Sequence, residues 1–196
     1  MTQGASPKKK FFITTAIDYA NSKPHLGTAY EKIGADVIAR AHRLRGEDVF
    51  FLMGNDEHSL NVEKKARETG KDPKVYCDEM AATFQDTWRR LDVSYDRFIR
   101  TTDDDHRAAV RRFLQTIHDN GRGDIYKGHY EGWYCVSCEA FYQEKDLAGG
   151  NCPIHGRKPE WIREENWFFR LSAYQNQLED HILAHPEFIE PESRRN

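Results

Sequence analysis

Three short stretches hold residues whose types and spacing suit chemistry. Cys135-Val136-Ser137-Cys138 is followed by Cys152-Pro153-Ile154-His155. Two pairs, each with a two-residue gap and joined by a loop containing Gly149 and Gly150, match a tetrahedral site of three cysteines and one histidine for zinc. Four protein ligands close such a site, so the metal's role is structural, and folding of the knuckle depends on it. Pro24-His25-Leu26-Gly27-Thr28 joins an apolar run to a helical pattern. There a helix N-terminus aims amides at an anion, Gly27 lets a nucleotide approach the backbone, and His25 can donate to an oxygen gaining charge. The competing reading makes His25 a surface or packing residue. Gly54-Asn55-Asp56-Glu57-His58 follows a second apolar run directly. Its acid can pair with the ammonium of an amino acid, or Asp56 can simply cap a helix.

The elements around these stretches set where they lie. Phe11 to Ile17 is apolar and β-rich, which predicts a buried strand. From Thr28 a helix is expected, with an apolar stripe of Tyr30, Ile33, Val37, Ile38, Ala41 and Leu44, ended by Gly46. Val49 to Gly54 predicts a second buried strand. Strand, loop, helix and strand together predict a right-handed βαβ unit, whose ligands sit at the carboxyl ends of the strands. A polar helix over Leu60 to Thr69 follows, then one opened by Pro73 with the stripe Tyr76, Met80, Phe84, Trp88 and Leu91. Phe98 to Thr102 predicts a third strand. Asp103 to Asp105 can cap a helix whose stripe is Val110, Phe113, Leu114 and Ile117. Composition changes after Asn120: Gly, Tyr, Trp and Cys dominate to about Trp161, with short strands expected, before a last helix with Tyr174, Leu178 and Ile182. These signals predict an α/β fold in three parts: a disordered lead-in over 1–10, a nucleotide-binding domain over 11–104, and an inserted lobe over 105–196.

Bulk composition excludes several classes. Among 196 residues no run approaches the ~18 apolar residues of a membrane span. Met1 to Lys10 is polar with three consecutive lysines and no apolar core, unlike a secretory signal. A net charge of −3 gives no general support to nucleic-acid binding, so contact with RNA requires a local patch. Clustering of three of the four cysteines beside His155 argues for metal in a reducing compartment, the cytoplasm. Cys77, on the inner side of a helix, reads as a free buried thiol. The aromatics at Tyr126 to Trp133 and at Trp161, Trp167, Phe168 and Phe169 suit the core of a small lobe, or stacking on bases.

Taken in order, Ala16-Ile17-Asp18-Tyr19-Ala20-Asn21, His25-Leu26-Gly27, Gly54-Asn55-Asp56-Glu57-His58 and the two metal-binding pairs resemble the bacterial methionine–tRNA ligases, class I aminoacyl-tRNA synthetases with a single zinc knuckle. The match runs from about Phe11 to the chain end. The resemblance implies the first half of a Rossmann-like parallel sheet with an inserted zinc-knuckle lobe, the connective peptide. It implies ATP, carried with Mg2+, at Tyr19, His25, Gly27 and Thr28, with His25 and Thr28 in the catalytic HIGH signature. It implies methionine at Ile17, Tyr19 and Asp56, and structural Zn2+ on Cys135, Cys138, Cys152 and His155. The implied reaction joins methionine to AMP and passes it to tRNA(Met). Thr28 stands where the signature has histidine, and its hydroxyl is expected to donate one hydrogen bond to ATP. Asn55 and Ser59 replace the usual threonine and glycine. No KMSKS sequence, whose lysine serves the pyrophosphate, occurs in the chain, nor does the anticodon-binding domain that follows it in the family. Two rivals stay open: a non-catalytic, zinc-bearing module binding tRNA or a partner protein, and a nucleotidylyltransferase, which shares the H-x-G loop but explains neither Asp56 nor the zinc pairs.

Overall fold

A computed structural model describes residues 7–195, so residues 1–6 of the lead-in expected over 1–10 lie outside the described residues. Contacts divide the chain into two compact units, Met1–Val110 and Arg111–Asn196.

The first unit is built on one strand. β3 (Asp48–Asp56) is parallel to all its partners. One edge carries β1 (Lys10–Thr14) and then β2 (Asp18–Tyr19); the other carries β4 (Arg97–Arg100). Asn55 sits opposite both Asp18 and Arg100, which places β2 and β4 on opposite sides. β1 and β2 are therefore one strand, broken where residues 15–17 leave the ladder. The sequence had the run continuous to Ile17 and buried. It stops at Thr14 because Thr15 N–H makes the last bond, 3.3 Å to Leu52 O, and it is half-buried, with Phe12 62% exposed.

Helix α1 (Leu26–Leu44) connects β2 to β3, followed by α2 (Leu60–Glu68) and α3 (Pro73–Arg90). Asp72 caps α3 from its carboxylate, and Pro73 at its first position gives up no bonded amide. The inward stripe of α3 is as its spacing predicts: Tyr76, Met80, Phe84 and Trp88 are buried against Phe51, Met53, Val62 and Ala66, while Leu91 is partly exposed. Each large apolar side chain closed off in this way contributes about 1.5–3 kcal/mol. Cys77 belongs to the same core, and burial, with the Glu57 charge nearby, pushes its thiol up to about 11, so it stays protonated and inert.

Helix α1 corrects its expected orientation. Its buried residues are Lys32, Ala35, Asp36 and Ala39, whereas Tyr30 is 83% and Val37 61% exposed. The inward face pairs two small alanines in the core with two charged residues that polar partners meet. Asp36 Oδ1 accepts from Ser94 N at 2.8 Å, and its Oδ2 from Arg40 Nε at 2.6 Å. Nothing among the described residues covers the apolar stripe.

Gly54 is where β3 and β4 press closest. A Cβ there would lie 1.9 Å from Ile99 O, a backbone atom that cannot swing aside. Gly54→Ala is expected to cost about 3 kcal/mol or more, at the upper end for overpacking. A chemical-denaturation midpoint unchanged within error would refute this.

α4 (Asp104–His118) spans the division between the units and has no buried residue; Val110, Phe113 and Leu114 of its expected stripe are exposed. The second unit is an antiparallel sheet in which β5 (Ile125–Cys135) pairs with β6 (Ala140–Tyr142) and β7 (Glu160–Phe169). Its strands are longer than the sequence suggested, eleven and ten residues for β5 and β7, because glycines 128 and 132 let aromatic rings of the neighbouring strands lie over the backbone. A final helix α5 (Gln175–Ala184) follows, and Tyr174 donates to Asp124 Oδ2 at 2.8 Å. No helix is long and apolar enough to cross a membrane among the described residues.

Candidate functional site

At the carboxyl ends of β1 and β2 lies a cavity of about 250 Å3 lined by Ile17, Tyr19, Lys23, His25, Thr28 and Phe84, among others. The strand break puts Ile17 there: residues outside the ladder face the opening. Asp56 is the ladder partner of Tyr19, so the last residue of β3 lies at the same end of the sheet. A larger hollow of about 510 Å3 in the second unit is lined by Leu114, Ile125, Trp167, Phe168 and Phe169 with few polar groups. The smaller one, which holds the histidine at a helix N-terminus, is the candidate site.

His25 is the N-cap of α1, and the atom that caps is its ring nitrogen. Nδ1 accepts from Gly27 N at 3.1 Å and from Thr28 N at 3.4 Å. With Nδ1 an acceptor, the neutral ring carries its proton on Nε2, so its outward function is that of a donor. Gly27 serves this arrangement first: a Cβ there would lie 3.0 Å from His25 Cε1. A side chain at position 27 would press on the His25 ring that caps the helix. Thr28 closes a capping box, its Oγ1 accepting from His25 N at 3.1 Å and donating to His25 O at 2.8 Å. The helix replaces the second histidine of the signature with a side chain that stabilises its own first turn.

Asp56 is held through Oδ1. Its Oδ1 accepts from His58 N at 3.1 Å and lies 3.5 Å from Thr101 Oγ1. Glu57 points the other way into the protein. Its fully buried carboxylate takes a forked bond from Arg100, Nε at 2.6 Å and a terminal nitrogen at 3.1 Å, and a further one from Thr102 Oγ1. Arg100 also pairs with Asp78 on α3 at 2.6 Å. Thr101 Oγ1 accepts from Glu57 N at 3.0 Å, so the end of β4 holds both acids. Asn55, wholly buried, donates from Nδ2 to Asp18 O at 3.1 Å and ties β2 to β3. Sequence reasoning gave no role to Thr101, Arg100 or Asn55. A polar residue at a strand end beside a candidate acid was the available signal.

In the second unit Cys135 ends β5, a turn closed by Cys138 N to Cys135 O at 3.1 Å follows, and Glu139 takes a left-handed φ of 51° to send the chain into β6. A second turn, Gly156 N to Cys152 O at 2.8 Å, faces it. The ligand atoms of Cys135, Cys138, Cys152 and His155 all lie within 4.8 Å of one another. Cys138 Sγ is 3.4 Å from Cys152 Sγ and 3.0 Å from His155 Nδ1, close to the ~3.7 Å edges of a tetrahedron built on ~2.3 Å zinc–sulfur bonds. Three soft sulfurs and one imidazole fit zinc. Burial would raise the Cys152 thiol, but the amides of His155 and Ile154 and the His155 ring outweigh it and bring it down to about 6. Tyr142 donates to Cys138 Sγ at 3.3 Å, a hydrogen bond that orients the sulfur from outside the cluster.

The family model for tRNA synthetases class I (M) matches residues 11–157, which span β1 through the cysteine cluster. The chain belongs to the class I tRNA synthetases. Its similarity to curated members is high: 50% identity over 188 residues to the methionine–tRNA ligase of Thermosynechococcus vestitus, and 47% over 191 residues to that of Clostridium acetobutylicum. These alignments take in 95% and 97% of this chain but 35% and 29% of those proteins, so the chain spans about a third of their length. Among solved structures, the methionyl-tRNA synthetase of Mycobacterium tuberculosis in complex with methionyl-adenylate superposes with a TM-score of 0.88 at 43% identity, covering 96% of this chain and 37% of that one. A LeuRS of Agrobacterium radiobacter K84, 21% identical with a TM-score of 0.74, shares the fold. The parallel sheet is thus the first half of the class I synthetase Rossmann-like sheet, and the cysteine cluster sits in a lobe inserted after it.

Proposed function

We propose that the chain is the N-terminal catalytic portion of a methionine–tRNA ligase, the part that grips ATP and methionine. What supports this most is its likeness to a solved methionyl-tRNA synthetase holding methionyl-adenylate. In the reaction, the methionine carboxylate attacks the α-phosphorus of ATP, pyrophosphate leaves, and the aminoacyl group then passes to the 3′ end of tRNA(Met). No side chain need form a covalent intermediate; positioning and charge stabilisation suffice.

His25 donates from Nε2 toward the α-phosphate oxygens, its direction fixed by the cap on Nδ1. Asp56 offers its second oxygen to the methionine ammonium, while Ile17 and Tyr19 close around the amino acid and the nucleotide. Thr28 and Gly27 act through His25, by building the turn that aims it. Mg2+ accompanies ATP and neutralises phosphate charge when bound. Zn2+ on Cys135, Cys138, Cys152 and His155 is structural. The KMSKS lysine and the anticodon-binding domain come from polypeptide beyond this chain, and the compartment is the cytoplasm.

The deciding assay is exchange of pyrophosphate into ATP with each amino acid in turn, alongside binding of a non-hydrolysable methionyl-adenylate analogue. Exchange driven by methionine alone, or analogue binding without exchange, is the expected pair of results; the second places the chemistry in a longer polypeptide. Exchange driven better by another amino acid would overturn the methionine assignment. Binding of tRNA without binding of the analogue would favour the non-catalytic zinc-bearing module, a reading kept alive by the chain spanning 35% of its relative's length.

A further inference from the structure

The broken strand raises a physical problem. Beyond the last ladder bond, from Thr15 N–H, the chain leaves β3 until Asp18, so Ala16 needs other partners, yet Ile17 and Tyr19 line the cavity and must hold still. Two adjacent residues of α1 supply what the sheet withdraws. Glu31 Oε1 accepts from Ala16 N at 2.7 Å, and Lys32 Nζ donates to Ala16 O at 2.8 Å. One residue, Ala16, is therefore gripped at both its backbone polar groups by side chains from one helix turn.

The grip is closed by charge. The Lys32 side chain is 0% exposed, 3.0 Å from Asp18 Oδ2 and 3.2 Å from Glu31 Oε2. Burial pushes the Asp18 carboxyl up, against the pull of Lys32. From the far side, Asn55 Nδ2 holds Asp18 O at 3.1 Å. A buried lysine is costly unless paired and hydrogen-bonded, and hydrophobic substitutes often pack as stably. Its presence here calls for a reason other than stability, and the geometry supplies one: it orders a segment that lines the site.

We propose that Glu31 and Lys32, with Asp18, are positioning residues that clamp the Ala16–Asp18 segment and so set the shape of the substrate cavity. The link to substrate rests on the methionine reading above; the clamp itself does not.

The test separates stability from positioning. Lys32→Met alone leaves the Asp18 carboxylate buried and unpaired, and is expected to lower the unfolding midpoint. Lys32→Met with Asp18→Asn removes the stranded charge, and the midpoint is expected to recover. Affinity for the methionyl-adenylate analogue is expected to stay weakened by about tenfold or more in the double variant, because the Ala16 peptide is still released. Amide hydrogen exchange supplies a ligand-free readout. Exchange at 16–19 is expected to accelerate in the double variant and in Glu31→Ala, with the β3 amides unchanged, and Glu31→Gln, which keeps the acceptor oxygen, is expected to restore protection.

Affinity that returns together with stability would make the ion pair merely structural. Unchanged exchange at 16–19 would overturn the clamp outright. Failure of the unaltered chain to bind the analogue would count against the methionine reading, while the exchange rates still decide the clamp.

Discussion

Stripped of zinc by a strong chelator, the chain is expected to lose the fold of residues 135–157 while its parallel sheet persists. The knuckle has little else to hold it. Its first turn closes with one backbone bond and its second with two, and the loop between them is tied by a short 3-10 turn at Glu144–Asp146 and one isolated bridge, Ala148 to Asn151. His155 is exposed, so no apolar core brings it to the cysteines. Structural zinc in comparably small sites has an apparent worth of ~10–16 kcal/mol, far above the stability of a lobe this size without it. In the absence of metal, three thiols and an imidazole within 4.8 Å have only the weak hydrogen bonds of sulfur to hold them together. The expected measurements are one zinc per chain, released with loss of the near-ultraviolet signal of Trp133 and Trp161, whose rings pack edge to face at 5.3 Å beside the knuckle. Amide exchange along β3 should be unmoved. Full retention of the tryptophan signal after demonstrable metal removal would show that the cluster folds without metal.

Asp56→Ala is expected to reduce methionine-dependent binding and turnover by at least about a hundredfold, with little loss of stability. A charge-assisted pair removed from a partly buried site costs ~3–5 kcal/mol, because the substrate ammonium then enters desolvated and unpaired. The fold should survive, since the neighbouring acid, Glu57, carries the structural burden through Arg100 and Thr102. Asp56→Asn keeps the shape and the bond from His58 N but removes the charge, and should sit near alanine in its effect. The check is methionine affinity against affinity for adenosine alone: only the first should collapse. A substitution that left methionine binding intact would move the ammonium site elsewhere.

How far the sequence foretold these features depended on whether the deciding partner lay nearby in the chain. The metal set was legible because both halves of the cluster are local pairs, and a two-residue gap turns two ligands toward one point. The stripe of α3 was legible because each of its inward positions meets an apolar neighbour. α1 misled because the partners that bury its charged residues, Ser94 from far along the chain and Asp18 from the strand before it, are not marked by its own spacing. The break after Thr14 carries no glycine or proline to mark it; Glu31 and Lys32 take up the Ala16 N–H and C=O there. His25 was read as a residue looking outward. That it first caps its own helix follows from a ring reaching two residues ahead over Gly27, a contact that spacing permits and does not announce.

The close approach at Gly54 also bears on how this sequence can drift. Every amino acid reachable from a glycine codon by a single nucleotide change carries a Cβ, and every Cβ there meets Ile99 O. Compensation would require the two strands to part, which would shift Asn55 and Asp56 together. The position therefore has no neutral first step: lineages keep the glycine, or they rebuild the adjoining strand in the same event.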